Sequence, residues 1–122
     1  MRRIIVAGSR DIDNYFTLRN VLDKHLRGRK NVTIVSGHAR GVDLMAEYYA
    51  RMCDLPLEVY PADWKKYGKR AGMVRNAEMA EVADELVVIW DGQSRGTAAM
   101  IRMMRRRKKP VAVYGCDGVR VE

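Results

Sequence analysis

Five short apolar runs recur along the chain, and what separates them fixes the fold class. RIIVAG (3–8), VTIVSG (32–37), LEVYP (57–61), LVVIW (86–90) and VAVYG (111–115) are continuous rather than alternating, as strands buried on both faces are. Four segments of helical period lie between them. The first runs from about Asn14 to Leu26, with Leu18, Leu22, His25 and Leu26 on one face. The second starts near Val42 and stripes Val42, Met45, Ala46, Tyr49, Ala50 and Cys53, leaving Glu47 and Arg51 as a pair on the far side. The third covers about Ala71–Ala83 and the fourth about Thr97–Arg107, closed by Pro110. Strands alternating with helices through short connections predict right-handed βαβ units. The expectation is an α/β fold: a single Rossmann-like domain over residues 1–122, with a parallel five-stranded sheet and helices on both faces.

Composition narrows the class further. A chain of 122 residues, 48% hydrophobic and 31% charged, suits one globular domain and excludes disorder. No apolar run approaches the roughly 18 residues of a membrane helix, so no membrane partner is expected. The opening MRRIIVAGSRD has too short an apolar core for a secretory leader and reads as a strand. Cys53 and Cys116 have no metal-like partners in sequence, which suits reduced thiols in a cytoplasmic protein. The net charge of +8 and pI near 9.8 favour an anionic partner, nucleic acid or a phosphorylated small molecule.

In parallel sheets of this kind ligands bind beyond the carboxyl ends of the strands. Three loops on that edge carry glycine and arginine: GSRDIDN (8–14), SGHARGVD (36–43) and WDGQSRGT (90–97). Glycines let main-chain amides approach a ligand, and a helix N-terminus adds unpaired donors and a favourable dipole. Turn geometry alone explains any one such loop. Three on one edge point to an anion site, with the glycines leaving room for phosphate. The candidate ligand-binding residues are Gly8, Ser9 and Arg10 from the first loop, and Ser36, Gly37, Arg40, Gly41 and Asp43 from the second. The third supplies Asp91, Gly92, Ser94, Gly96 and Thr97. Arg75 and Asn76, opening the third helix, would clamp a phosphate or carboxylate, and Trp64 in YPADWKKYGKRAGMVRN (60–76) would stack on a base. That segment reads as an ordered loop reaching into the third helix. Neither G-x-G-x-x-G nor G-x-x-x-x-G-K-[ST] is present, which argues against a nicotinamide dehydrogenase or a Walker-type NTPase.

The densest charge lies elsewhere. RGRK (27–30) and RMMRRRKK (102–109) close helices on the opposite edge, where cations face the dipole favourably, and they read as solvated ends. His25 sits on an apolar stripe and reads as core. His38 has no carboxylate partner in the nearby sequence and reads as a turn residue; no metal site is expected. Met100, Ile101, Met103 and Met104 make the fourth helix apolar around too much of its circumference for one buried face. Either that helix is central and buried, or it makes a subunit contact, and a homo-oligomer is expected.

GSR (8–10), SGHARGVDLMAE (36–47), YPADWKKYGKRAG (60–72), VRNAEM (74–79) and ADELVVIWDGQSRGTAAMI (83–101) together resemble the SLOG superfamily, in particular its small YspA/YpsA-like branch. The resemblance covers nearly the whole chain. It implies a Rossmann-like fold that binds nucleotides or derivatives such as nicotinamide dinucleotide, ADP-ribose or nucleoside monophosphates. The LOG phosphoribohydrolases carry R-K-x-x-M, matched here by Arg75 and Met79, and P-G-G-x-G-T-x-x-E, matched by Gly96 and Thr97. The closing glutamate of that motif, catalytic in those enzymes, is Met100 here, so no catalytic residue is assigned; Glu47, Glu78 and Asp91 are the carboxylates considered as substitutes. The DprA proteins, which bind single-stranded DNA, carry S-G-x-A-R-G-I-D, nearly reproduced by residues 36–43. The expected function is binding of a nucleotide-derived small molecule as sensor or sequestering protein, with no other cofactor required. The alternatives are a nucleotide N-glycosidase and, less favoured, a DprA-like single-stranded DNA binder.

Overall fold

Alternation along the first strand decides how the molecule is layered. In the computed structural model, which describes residues 1–122, β1 spans Arg2–Gly8. It buries Ile4 and Val6 in one core and Ile5 and Ala7 in another. The chain continues through α1 (Tyr15–His25), β2 (Val32–Ser36), α2 (Val42–Met52), β3 (Leu57–Val59) and α3 (Trp64–Tyr67). A 3₁₀ turn over Gly68–Arg70 leads into α4 (Ala71–Val82), then β4 (Glu85–Ile89), α5 (Arg95–Arg106) and β5 (Val111–Tyr114). Every strand pairing is parallel, in the order β3-β2-β1-β4-β5, as the alternating sequence requires.

α1 and α2 cover one face through Leu18, Leu22, Val42, Ala46 and Ala50. α4 and α5 cover the other through Met79, Ala80, Met100, Ile101 and Met104. The methionines of α5 are therefore spent inside this chain's own second layer: Met100 and Met104 are fully buried and Met103 packs partly against them. Of the two explanations offered by the sequence, burial accounts for this helix, and α5 gives no reason for a subunit contact.

Two other expectations change, and one helix start shifts slightly. The 60–76 segment is not all loop, because Trp64–Tyr67 forms a helical turn capped by Asp63, whose Oδ1 accepts from the Lys66 amide at 3.1 Å. α5 begins at Arg95, two residues before the apolar stripe announces it. The basic helix ends are partly engaged: Arg105 pairs with Glu122, Arg107 with Glu81, and Lys109 Nζ donates to the last-turn carbonyl of Ala80 at 2.7 Å.

Arg29 belongs to a cluster at the amino edge of the sheet. Glu85, buried at the start of β4, accepts from Arg29 at 2.6 Å and from Arg2 at 2.7 Å, and faces His25 Nε2 at 3.1 Å. Burial pushes its pKa up, but the hydrogen bonds from Arg29, Arg2 and His25 outweigh this and bring it to about 2. His25, half-buried and also bonded to Tyr114 Oη, is thus part of a charge network rather than plain core.

Candidate functional site

Strand order reverses between β1 and β4, so the crevice of the sheet opens beyond their carboxyl ends. A side chain at Gly8 would put its Cβ 2.2 Å from the Ile89 carbonyl and 2.6 Å from Val42 Cγ2. Only glycine lets the start of α2 press against both strands. The resulting cleft, about 260 Å³, is floored by Ala7, Met79 and Met100. Its walls come from Gly8 and Arg10, from Ala39 and Asp43, from Arg75 and Asn76, and from Ser94, Gly96 and Thr97.

The β4–α5 loop provides the donors. Asp91 Oδ1 accepts from the amides of Gln93 at 2.8 Å and Ser94 at 2.9 Å, which turns the chain into the helix. Those two amides hold the exposed Asp91 carboxyl below its ordinary pKa. Ser94 does not cap α5; its Oγ lies 3.2 Å from Thr97 Oγ1 instead. The amides of Arg95, Gly96 and Thr97 therefore have no partner in the protein, and they sit at the positive end of a twelve-residue helix.

Arg75 faces them across the cleft. Its Nε donates to Asn76 Oδ1 at 2.9 Å, its Nη1 donates to the Gly37 carbonyl, and Asn76 Nδ2 donates to the Gly96 carbonyl at 3.3 Å. The guanidinium is thereby fixed in position and tied to the first turn of α5. Beside it stands Asp43, whose Oδ2 accepts from the Ala39 amide at 3.3 Å. Burial pushes the Asp43 carboxyl up to about 6, although the Ala39 amide and Arg75 pull it down. Burial likewise lowers Arg75, with Asp43 opposing.

A second cleft of about 270 Å³ adjoins the first and shares Arg10, Ala39 and Arg75 with it; Gly37, His38, Pro61, Ala62 and Trp64 complete it. His38 here contradicts its sequence reading. Its Nδ1 lies 2.9 Å from Oε2 of Glu47, a residue only 2% exposed, and Ser36 Oγ donates to the same oxygen at 2.8 Å. Glu47 sits nine residues on, in a helix whose stripe sets Glu47 and Arg51 on the far side, so no local spacing pairs it with His38. Glu47 follows Asp43 by one helical turn, and both side chains bend under the β2–α2 loop.

The family model YAcAr, the YspA, cpYpsA-related SLOG family, matches residues 2–67. The chain belongs to this family. It is similar along its length to the Gene 61 protein of Mycobacterium phage D29, at 31% identity, the match covering 94% of this chain and 98% of the relative. Its fold is similar to that of DNA processing protein A from Helicobacter pylori, with a TM-score of 0.65 at 18% identity. That match covers 93% of this chain and 65% of the other, so the chain spans just under two thirds of this structural neighbour.

Within this SLOG fold, the sequence-predicted residues divide by what they touch. Gly8, Arg10, Asp43, Arg75, Asn76, Ser94, Gly96 and Thr97 come together on the main cleft, and Gly37 and Trp64 on its neighbour. Ser9 and Ser36 are buried behind the rim, Ser9 Oγ accepting from the Asp91 amide at 3.0 Å. Arg40 is exposed and reaches Asp11 at 3.4 Å instead of the cleft. Gly37 and Gly41 do not leave the room expected for phosphate. A Cβ on Gly37 would stand 2.9 Å from Arg75 Nη1 and 3.0 Å from Asp43 Oδ2. On Gly41, where φ is +85°, it would stand 2.6 Å from the Arg10 carbonyl oxygen. The open positions are Gly92 and Gly96, whose Cβ would meet nothing within 4 Å. Met100, where the LOG motif has its glutamate, forms the floor. Of the three alternative carboxylates, Glu47 is buried behind His38, Glu78 lines a neighbouring hollow on the other side of Arg75 with Tyr67, and Asp91 is bound to its own loop.

Proposed function

We propose that this SLOG protein binds a nucleotide or nucleotide derivative of the ADP-ribose, NAD or nucleoside monophosphate type at the carboxyl edge of its sheet, to sense it or sequester it. The observation that carries this reading is the unpartnered first turn of α5 facing a fixed guanidinium across a cleft of nucleotide-fragment size. A phosphate there gains amide donors, the helix dipole and Arg75 together, and Trp64, 55% exposed, offers its ring to a base in the adjoining cleft. Cleavage of an N-glycosidic bond has less support, since an apolar side chain, Met100, lines the cleft where the LOG motif has its catalytic glutamate.

Mass spectrometry of small molecules released on denaturing the purified protein identifies the ligand, and calorimetry then measures it. A charge-assisted hydrogen bond contributes about 1.5–3 kcal/mol, so Arg75→Ala is expected to weaken binding by roughly 10- to 100-fold while the fold persists. Unchanged affinity places the site elsewhere. A second reading draws on the structural neighbour, which binds single-stranded DNA. It predicts oligonucleotide affinity that falls steeply with salt and drops when Arg105, Arg106 and Arg107 are neutralised; a flat salt response dismisses it.

A further inference from the structure

Glu47 is a buried carboxylate for which phosphate binding has no use. Both its oxygens are engaged: Oε2 accepts from Ser36 Oγ and faces His38 Nδ1, and Oε1 lies 3.1 Å from the same nitrogen and 3.7 Å from Arg51 Nη2. An ionised carboxylate only accepts, so in the neutral imidazole the proton sits on Nδ1 and Nε2 keeps a free lone pair. The ring is not sealed in, for its side chain is 51% exposed and lines the cleft beside Arg10, Arg75 and Trp64. The backbone holds it there at φ +62°, in the left-handed region that costs a residue with a β-carbon about 1–2 kcal/mol. A conformation glycine adopts freely is thus occupied by histidine, with a buried acid orienting it.

We infer that His38, positioned by Glu47, is a general base that hydrolyses a pyrophosphate-linked nucleotide held across the two joined clefts. This rests on the nucleotide-binding reading above and names the substrate class and reaction of that site. Arg10 and Arg75 line both clefts, so two linked phosphates can lie between the α5 amides and His38 with both guanidiniums alongside. The same cations choose the bond. Positive charge developing on a sugar carbon next to them is disfavoured, whereas negative charge developing on phosphoryl oxygens is stabilised. Nε2 takes one proton from a water as the water oxygen bonds to phosphorus, and the bond from that phosphorus to the bridging oxygen breaks. The bridging oxygen leaves as part of a phosphate monoester dianion and needs no proton. The attacked phosphate keeps the water's second hydrogen, and the imidazolium releases its proton to solvent. Water is the sole co-reactant.

ADP-ribose is the probe. The wild-type protein is expected to release AMP and ribose 5-phosphate, read by chromatography, with one oxygen from labelled water in one product. His38→Gly is expected to fold, because glycine accepts the left-handed backbone, and to bind ADP-ribose by calorimetry. Its turnover is expected to fall by roughly 10²- to 10⁴-fold and to recover partly with added imidazole. Glu47→Gln is expected to lower kcat with KM little changed. Wild-type binding without AMP release, or AMP release by His38→Gly at the wild-type rate, overturns the dyad and leaves the binding reading standing. A wild-type protein that neither binds nor cleaves ADP-ribose also overturns the hydrolysis, whereas the binding reading falls only when NAD and nucleoside monophosphates fail to bind as well.

Discussion

Replacing Asp43 by asparagine isolates one buried charge. Folding raises this carboxyl from 3.8 to about 6, since burial outweighs the Ala39 amide and Arg75. At about 1.4 kcal/mol per pKa unit, ionised Asp43 costs the folded protein about 3 kcal/mol at pH 7 relative to the unfolded chain. Between pH 3.8 and about 6 the folded state retains a proton that the unfolded chain has released. Stability from this group is therefore greatest below the lower value, falls through the window and is level above it. Asparagine mimics the neutral acid and still accepts from the Ala39 amide. In urea unfolding at pH 7, Asp43→Asn is expected to exceed wild type by about 2–3 kcal/mol, with the gap closing as pH approaches 4. Glu85 has the opposite sign: lowered from 4.5 to about 2, it stabilises above 4.5 and loses that contribution as pH falls toward 2. The difference between the two proteins across pH 4.5–7 thus reports Asp43. An asparagine variant less stable than wild type at pH 7, with the same pH dependence, refutes the reasoning. The ligand gives a second readout, because a phosphate beside Asp43 favours the protonated carboxyl. Wild-type protein is expected to take up protons on binding near pH 6–7 and the variant far fewer, measured by calorimetry in buffers of different ionisation heat.

Two glycines in the rim are expected to behave oppositely. Gly41→Ala drives a methyl toward main-chain atoms from a left-handed position and should cost more than about 1–2 kcal/mol in thermal or urea unfolding. Gly96→Ala meets open space, should leave stability unchanged or raised by up to about 1 kcal/mol, and should weaken ligand binding in calorimetry. At the far edge, Glu85→Gln leaves Arg2 and Arg29 without their anion and is expected to lower stability by roughly 1–3 kcal/mol at pH 7, with the loss shrinking as pH is lowered toward 2.

The fold was legible because β-branched runs and helical stripes speak through local periodicity, and β1, β2, β4 and α2 begin and end within about two residues of where that periodicity places them. α3 escaped because four residues bury nothing and leave no stripe. Its one signal was Asp63 three positions before Lys66, an N-cap spacing. In the site, the carboxyl edge of the sheet followed from topology. The partners of individual side chains did not. Glu47 beneath His38, and Arg75 in the space beside Gly37, depend on how α2 and α4 lean over the β2–α2 loop, which no spacing within one segment records. Loop glycines carried the same ambiguity: Gly8, Gly37 and Gly41 serve internal packing, whereas Gly92 and Gly96 look out on space.

The contact at Gly41 has a bearing on how such a molecule changes over time. Main chain rests on main chain where the second loop crosses the first, so neither can slide without displacing the other. The lip of the crevice is accordingly a stiff frame from which a few side chains hang into the clefts, Arg10 and His38 among them. A lineage built on this frame can exchange one guest for another by swapping those few groups, without relearning how to fold.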